Sequence, residues 1–234
     1  MGRAFEFRKA RKMKRWGAMS RLFPRLGKEI TMAAKTGSDP DTNSRLRTAI
    51  QNAKGQNMPK DRIDAAIKRA TEKDLKDIIE IVYEAYGPHG VAIIIECAAD
   101  NTTRTVANIR TYLSRNGGTL GTSGSLSFVF DRKGVFQIKA EGIDKEELEL
   151  ELIDFGLEEI SEVDDELYLY CPFAEFGTMS KALEEKGLLV VSATLQRIPN
   201  TTVELTEEQE ADLEKLIDKI EEDDDVQAVY TNMG

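Results

Sequence analysis

Histidine, cysteine and long apolar runs are what this chain most nearly lacks. Of 234 residues, one is histidine (His89) and two are cysteine (Cys97 and Cys171). A single histidine, flanked by Gly-Pro and Gly with no cysteine near it, offers no metal-ligand spacing, and any Ser-His base arrangement could rest only on it. His89 is read as a turn residue. The two cysteines make no metal spacing and no disulfide framework, and are read as packed thiols. No run approaches the roughly 18–20 apolar residues of a membrane span, and no short apolar block with a small-residue cleavage site marks a secretory signal. The expectation is a cytoplasmic protein that is not an enzyme, with no metal, no cofactor, no small-molecule substrate and no membrane contact.

What the chain does have is charge, unevenly divided. A hydrophobic content of 41% in 234 residues is enough for real cores. Met1 to Ala70 carries 18 Lys+Arg against 6 Asp+Glu, while the remainder carries 14 against 36. A basic head of net +12 therefore precedes an acidic body of net −22. That division suits a nucleic-acid-binding arm on a folded carrier. Arg3 to Lys28 is the densest part, with Phe5, Phe7, Trp16, Leu22, Phe23 and Leu26 set among the cations. Cations neutralise phosphates and release counterions, and exposed aromatics offer stacking surfaces to unpaired bases. The alternatives are a solvated charged face with its aromatics in a core, or an Arg-rich transit peptide.

The rest of the chain is organised around Tyr83 to Phe130. Val91 to Ala98 is an almost unbroken apolar run rich in β-branched residues, which predicts a strand buried on both faces. Asn101-Thr102 opens a helix with Val106, Ile109 and Leu113 on one stripe, and Gly117-Gly118 stops it with left-handed backbone. The chain is expected to return as a strand at Leu126 to Phe130. Upstream, helices are predicted from Gly27 to Lys35, from Ser44 to Lys54, and after Asn57-Met58-Pro59. Downstream, a turn at Asp131 to Gly134 leads into a β-α-β-β-α-β order ending at Arg197, the ferredoxin-like split motif. Thr206 with Gln209 forms a capping-box signature for a helix carrying Leu213, Leu216, Ile217 and Ile220, and Val226 to Tyr230 follows as a strand. A lone helix and strand cannot bury themselves, so they are expected to complete the sheet begun at Tyr83.

The fold class is therefore α+β. It comprises an N-terminal three-helix domain (1–75), a central α+β domain completed by the C-terminal helix and strand (76–131 with 201–234), and an inserted, acidic ferredoxin-like domain (132–200).

The stretches SDPDTNSRLRTAIQNAKGQNMPKD, YGPHGVAIIIECAADNTTRTVANIR and LGTSGSLSFVFDRKG, with the Gly117-Gly118 turn, resemble the YebC/PmpR family of gene-expression regulators through nearly the whole chain. The chain departs from the family pattern at its start. There MGRAFEFRKARKMKRWGAMSRLF stands in place of an opening like GHSKWANIKHRK, so no role is carried over from those early His and Lys positions. The resemblance implies the same three-part arrangement and a non-enzymatic, nucleic-acid-binding regulator. Its target would be DNA, as for a transcriptional regulatory protein, or ribosomal RNA, as for a ribosome-associated translation factor. A third reading is a protein-interaction module that docks a basic partner on the acidic domain.

The candidate phosphate-contacting residues are Arg8, Lys9, Arg11, Lys12, Lys14, Arg15, Arg21, Arg25, Lys28, Arg45, Arg47, Lys54, Lys60 and Arg62. The glycine-rich run Gly117 to Gly124 follows a helix rather than a strand and lacks a Gly-Lys-Ser/Thr, so it is read as a helix stop and strand entry, not a phosphate cradle. Carboxylates at Asp144 to Glu151, Glu158 to Glu166 and Glu204 to Asp225 are read as solvated faces.

Overall fold

A computed structural model describes residues 19–72 and 77–234. Three helices come first: α1 (Met19–Ala34), α2 (Ser44–Gly55) and α3 (Lys60–Arg69). α1 begins well before Gly27 and contains Pro24. Its buried apolar residues are Leu26, Ile30, Ala33 and Ala34, at helical period; α2 buries Leu46, Ala49 and Ala53, and α3 buries Ile63 and Ala66. Asn43 holds two helix ends at once. Its Oδ1 accepts from the Leu46 N–H at 3.0 Å, capping α2, while its Nδ2 donates to the Ala33 and Gly37 carbonyls at 2.8 and 2.7 Å. Thr31 is buried and donates its hydroxyl to the Ala66 carbonyl at 2.9 Å, fixing α1 against α3.

The central sheet contains β1 (Ile79–Tyr86), β2 (Ala92–Ala99), β3 (Thr119–Leu120) and β8 (Val226–Thr231) in the order β3-β1-β2-β8, with antiparallel pairing throughout. β2 is buried on both faces, as its apolar run predicts. One face packs Ile93, Ile95 and Cys97 against Ile109 and Leu113 of α4 (Thr102–Arg115) and Leu213, Leu216, Ile217 and Ile220 of α7 (Glu207–Glu221). The capping box of Thr206 and Gln209 opens α7. On the other face, Ala92 and Ile94 meet Leu126, Val129 and Phe130.

That second cluster corrects an expectation. Leu126 to Val129 is a turn and not a strand, and the strand following α4 is the short β3. The cause is Glu84. Its carboxylate accepts from the backbone N–H groups of Gly124 and Leu126 at 2.8 and 2.6 Å and from the Ser125 hydroxyl at 3.2 Å, winding the loop into a coil that lowers its apolar side chains onto β2. Asp131 to Gly134, expected as a turn, instead belongs to β4 (Phe130–Lys139), where Lys133 and Gly134 register with Pro172 and Cys171. The stop after α4 also divides its labour. Gly117 has the left-handed backbone (φ +74°), and the Gly118 N–H reaches back to the Leu113 carbonyl at 2.8 Å. Gly118 is required for a different reason, since a Cβ there would lie 2.9 Å from the Tyr86 carbonyl oxygen.

The inserted unit runs β4, α5 (Lys145–Leu152), β5 (Glu159–Val163), β6 (Glu166–Pro172), α6 (Phe176–Glu185) and β7 (Val190–Pro199). Its sheet order, β5-β6-β4-β7, is that of the ferredoxin-like split motif. Asp164 and Asp165 both take positive φ (52° and 62°), the two-residue turn that matches strand twist between β5 and β6. Phe136, Ile138, Leu167, Leu169 and Cys171 pack against Leu148 and Leu152 of α5 and Met179, Ala182 and Leu183 of α6. By packing, the described chain forms two compact units. One holds residues 19–28, 77–131 and 197–234; the other holds residues 29–72 and 132–196.

Candidate nucleic-acid interface

α2 has one face committed to the inserted sheet. Asn52 is buried and pairs with both backbone groups of Ala193, accepting from its N–H at 2.7 Å and donating to its carbonyl at 2.9 Å. Gln51 donates to the Val190 carbonyl at 2.9 Å. Gly55 brings the helix so close that a Cβ would lie 2.0 Å from the Val191 carbonyl oxygen. β7 is an edge strand, and its exposed hydrogen-bonding groups are here satisfied by amide side chains of a helix. With that face occupied and Leu46, Ala49 and Ala53 buried, the cations of α2 are left outside. Arg45, Arg47 and Lys54 are exposed, as are Lys60, Arg62, Lys68 and Arg69 on α3, where Asp61 and Asp64 are exposed too. Arg47 lies 3.8 Å from Glu184, an exposed pair of the kind that contributes little to stability.

The candidate cations of α1 divide into two kinds. Arg21 is exposed. Arg25 and Lys28 instead face the protein: Arg25 donates to the Glu221 carbonyl at 2.7 Å, and Lys28 donates to the Ala98 and Asp224 carbonyls at 2.8 and 2.9 Å and lies 3.4 Å from the Asp225 carboxylate. Arg8, Lys9, Arg11, Lys12, Lys14 and Arg15 lie outside the described residues. Residues 29–72 carry eight Lys+Arg against six Asp+Glu, so most of the head's charge excess resides in residues 1–28.

Asp225 is the electrostatic centre of the central domain. It is 5% exposed and accepts from Arg104 Nη2 at 2.9 Å and from the Thr105 hydroxyl at 2.8 Å, with Lys28 beside it. Burial alone would raise its pKa, but the hydrogen bonds from Arg104 and Thr105 and the charges of Lys28 and Arg104 outweigh burial and hold it below the usual value. Burial, with the Asp223 and Asp225 charges nearby, pushes the Cys97 thiol up to about 12; burial and the charge of Glu158 push Cys171 to about 11. Both behave as packed thiols. His89 occupies a left-handed position (φ 61°) in the Pro88–Gly90 turn, with Nε2 3.6 Å from Asp212, consistent with a turn residue.

The glycine-rich loop is not a free phosphate cradle around Gly124, because the amides of Gly124 and Leu126 already bind the Glu84 carboxylate. Glu84, Asn52 and Gly55 were not singled out by sequence, and Asp225, expected on a solvated face, is instead buried because Arg104 and Thr105 hydrogen-bond its carboxylate. Glu84 and Asp225 sit among many carboxylates, and Asn52 and Gly55 sit in a polar stretch of a helix, so periodicity alone does not distinguish them.

Comparison with known proteins agrees with this architecture. The model of the TACO1/YebC protein N-terminal domain matches residues 3–73, which includes most of the altered opening, and that of the TACO1/YebC second and third domain matches residues 78–233. A protein of Flavobacterium johnsoniae named "Probable transcriptional regulatory protein" is 58% identical over 234 residues, covering 100% of this chain and 99% of the relative. A protein of the same name from Cytophaga hutchinsonii is 59% identical over 235 residues, with 100% and 99% coverage. The crystal structure of a conserved hypothetical protein from Aquifex aeolicus superposes with a TM-score of 0.79 at 36% identity, covering 92% of this chain and 90% of that one. With both family models spanning nearly its whole length, the chain belongs to the TACO1/YebC family.

Proposed function

We propose that the protein is a non-enzymatic, nucleic-acid-binding regulator of gene expression that meets its target through the basic helical domain, residues 1–75. The observation that carries this reading is the charge division: 18 Lys+Arg against 6 Asp+Glu up to Ala70, on a body where carboxylates outnumber cations 36 to 14. The names of the relatives, probable transcriptional regulatory proteins, support a regulatory role. Exposed Arg21, Arg45, Arg47, Lys54, Lys60 and Arg62, with the cations from Arg8 to Arg15, supply phosphate contacts. Arg25 and Lys28 anchor α1 to the central domain instead. The acidic inserted domain, residues 132–200, repels the same polyanion and so helps set which side of the molecule meets it.

Filter binding of the full chain to duplex DNA and to ribosomal RNA fragments over a range of salt tests the reading. Affinity should fall steeply as salt rises, because bound phosphates release counterions. Sedimentation with ribosomes, with and without nuclease, separates a ribosomal target from promoter DNA. Salt-independent binding, or none to either polymer, would overturn the proposal.

A further inference from the structure

The two edges of the inserted sheet are finished differently. In the order β5-β6-β4-β7, the edge of β7 is occupied by Asn52 and Gln51 of α2, whose amides take backbone groups of Ala193 and Val190. The edge of β5 carries no such cap among the described residues. The turn at Asp164-Asp165 fixes which of its groups are open. A two-residue hairpin closes on a hydrogen-bonded pair, here Val163 with Glu166, and antiparallel pairing then alternates, so Ser161 and Glu159 also bond inward, to Tyr168 and Tyr170. The N–H and C=O groups of Ile160 and Glu162 therefore point away from the sheet. The open edge ends at Glu158, whose N–H reaches the Tyr170 carbonyl at 2.8 Å although Tyr170 registers with Glu159, a bulge that breaks the ladder.

Charge decides what can pair there. Glu146 to Ser180 holds twelve Asp+Glu and no Lys or Arg. Glu159, Glu162, Asp164 and Asp165 are exposed along the hairpin and form no ion pair among the described residues, while Glu158 is held by Lys133 at 2.7 Å. Charged side chains on an edge are a common defence against edge-to-edge pairing, and here the charge is of one sign. A second copy brings the same carboxylates and is repelled, as is a nucleic acid. A cationic extended chain is attracted. The carboxylates alone would gather only counterions, but the outward donors and acceptors of Ile160 and Glu162 give a partner strand a register. Main-chain hydrogen bonds then supply affinity and the carboxylates select by charge.

We propose that the edge of β5 accepts a short, Lys/Arg-rich extended segment of a protein partner as an added strand. The segment bonds to the backbone of Ile160 and Glu162 and sets its cations beside Glu159, Glu162, Asp164 and Asp165. This contact is independent of nucleic-acid binding by residues 1–75, so either can fail without the other.

The test uses the full chain and a dye-labelled peptide, acetyl-Lys-Val-Arg-Val-Lys-Val-Arg-amide, at low salt. The peptide should bind, and at saturation the amide hydrogens of Ile160 and Glu162 should exchange with solvent more slowly. The same peptide N-methylated at every residue keeps its charges but has no backbone donor, and should bind about 10-fold more weakly. Glu162→Pro, tolerated on an edge strand where the N–H faces outward, should bind the unmethylated peptide about 5-fold more weakly than Glu162→Gln, which loses the charge and keeps the donor. Equal binding of the two peptides, or unchanged exchange at Ile160 and Glu162, would mean docking by charge alone and overturn strand addition. Protection of those amides that rises with protein concentration in the absence of peptide would put a second copy on the edge and overturn the choice of partner. No binding of the peptide at low salt would overturn the proposal outright.

Discussion

Asn52 pairs with Ala193 as a neighbouring strand would, its Oδ1 accepting the Ala193 N–H at 2.7 Å and its Nδ2 donating to the Ala193 carbonyl at 2.9 Å. Replacing Asn52 by Leu leaves two buried backbone groups without partners, and each costs roughly 1–3 kcal/mol. Urea unfolding of Asn52→Leu should show that loss. Wild-type stability in Asn52→Leu would mean that water or another group satisfies the edge of β7.

The carboxyl of Asp225 makes acid stability testable. Its pKa is lowered in the folded protein, so the unfolded chain binds a proton there more readily than the native one. Its contribution is therefore fully present above the unfolded value of about 3.9, and is lost as pH falls through that value towards the folded pKa. Asp225→Asn should flatten this part of the stability–pH curve. It should also destabilise the protein near neutral pH, because Lys28 and Arg104 lose their shared counter-charge. An unaltered acid limb would contradict the assignment.

The two glycines after α4 should respond differently. Gly117→Ala places a Cβ on left-handed backbone, with open space around it apart from Pro88 at 3.8 Å, and should cost about 1 kcal/mol. Gly118→Ala forces a Cβ to 2.9 Å from the Tyr86 carbonyl oxygen, where backbone must shift, and should cost more, about 1–3 kcal/mol. Thermal melts of the two variants rank them directly; the reverse order would contradict this division of roles.

Cys97 and Cys171 should resist thiol reagents at pH 8 in the native protein, since burial keeps both protonated at that pH. Both should react in denaturant. Fast labelling of either thiol under native conditions would show that its strand opens locally.

Regular elements with strong periodicity were legible in the sequence. The apolar run of β2, the capping box of α7 and the strand order behind the ferredoxin-like unit each follow from local pattern. Leu126 to Val129 was not legible, because its apolar content suits a strand until one knows that Glu84, some 40 residues earlier, takes the loop's amides. The same limit applies to the cations. Arg25 and Lys28 have the same composition signal as Arg21, and only their distance to Glu221, Ala98 and Asp225 separates an anchor from an exposed charge. Long-range partners of polar side chains leave no periodic trace.

The most direct measurement is the salt dependence of nucleic-acid affinity for the full chain and for Arg11→Glu combined with Lys12→Glu. Each phosphate contact contributes about 0.9 to the slope of log K against log salt on duplex DNA and about 0.7 on single strands. The expected result is a slope flattened by roughly one to two units and similar weakening across sequences. An unchanged slope, or weakening confined to one nucleotide sequence, would contradict phosphate contact by the basic head.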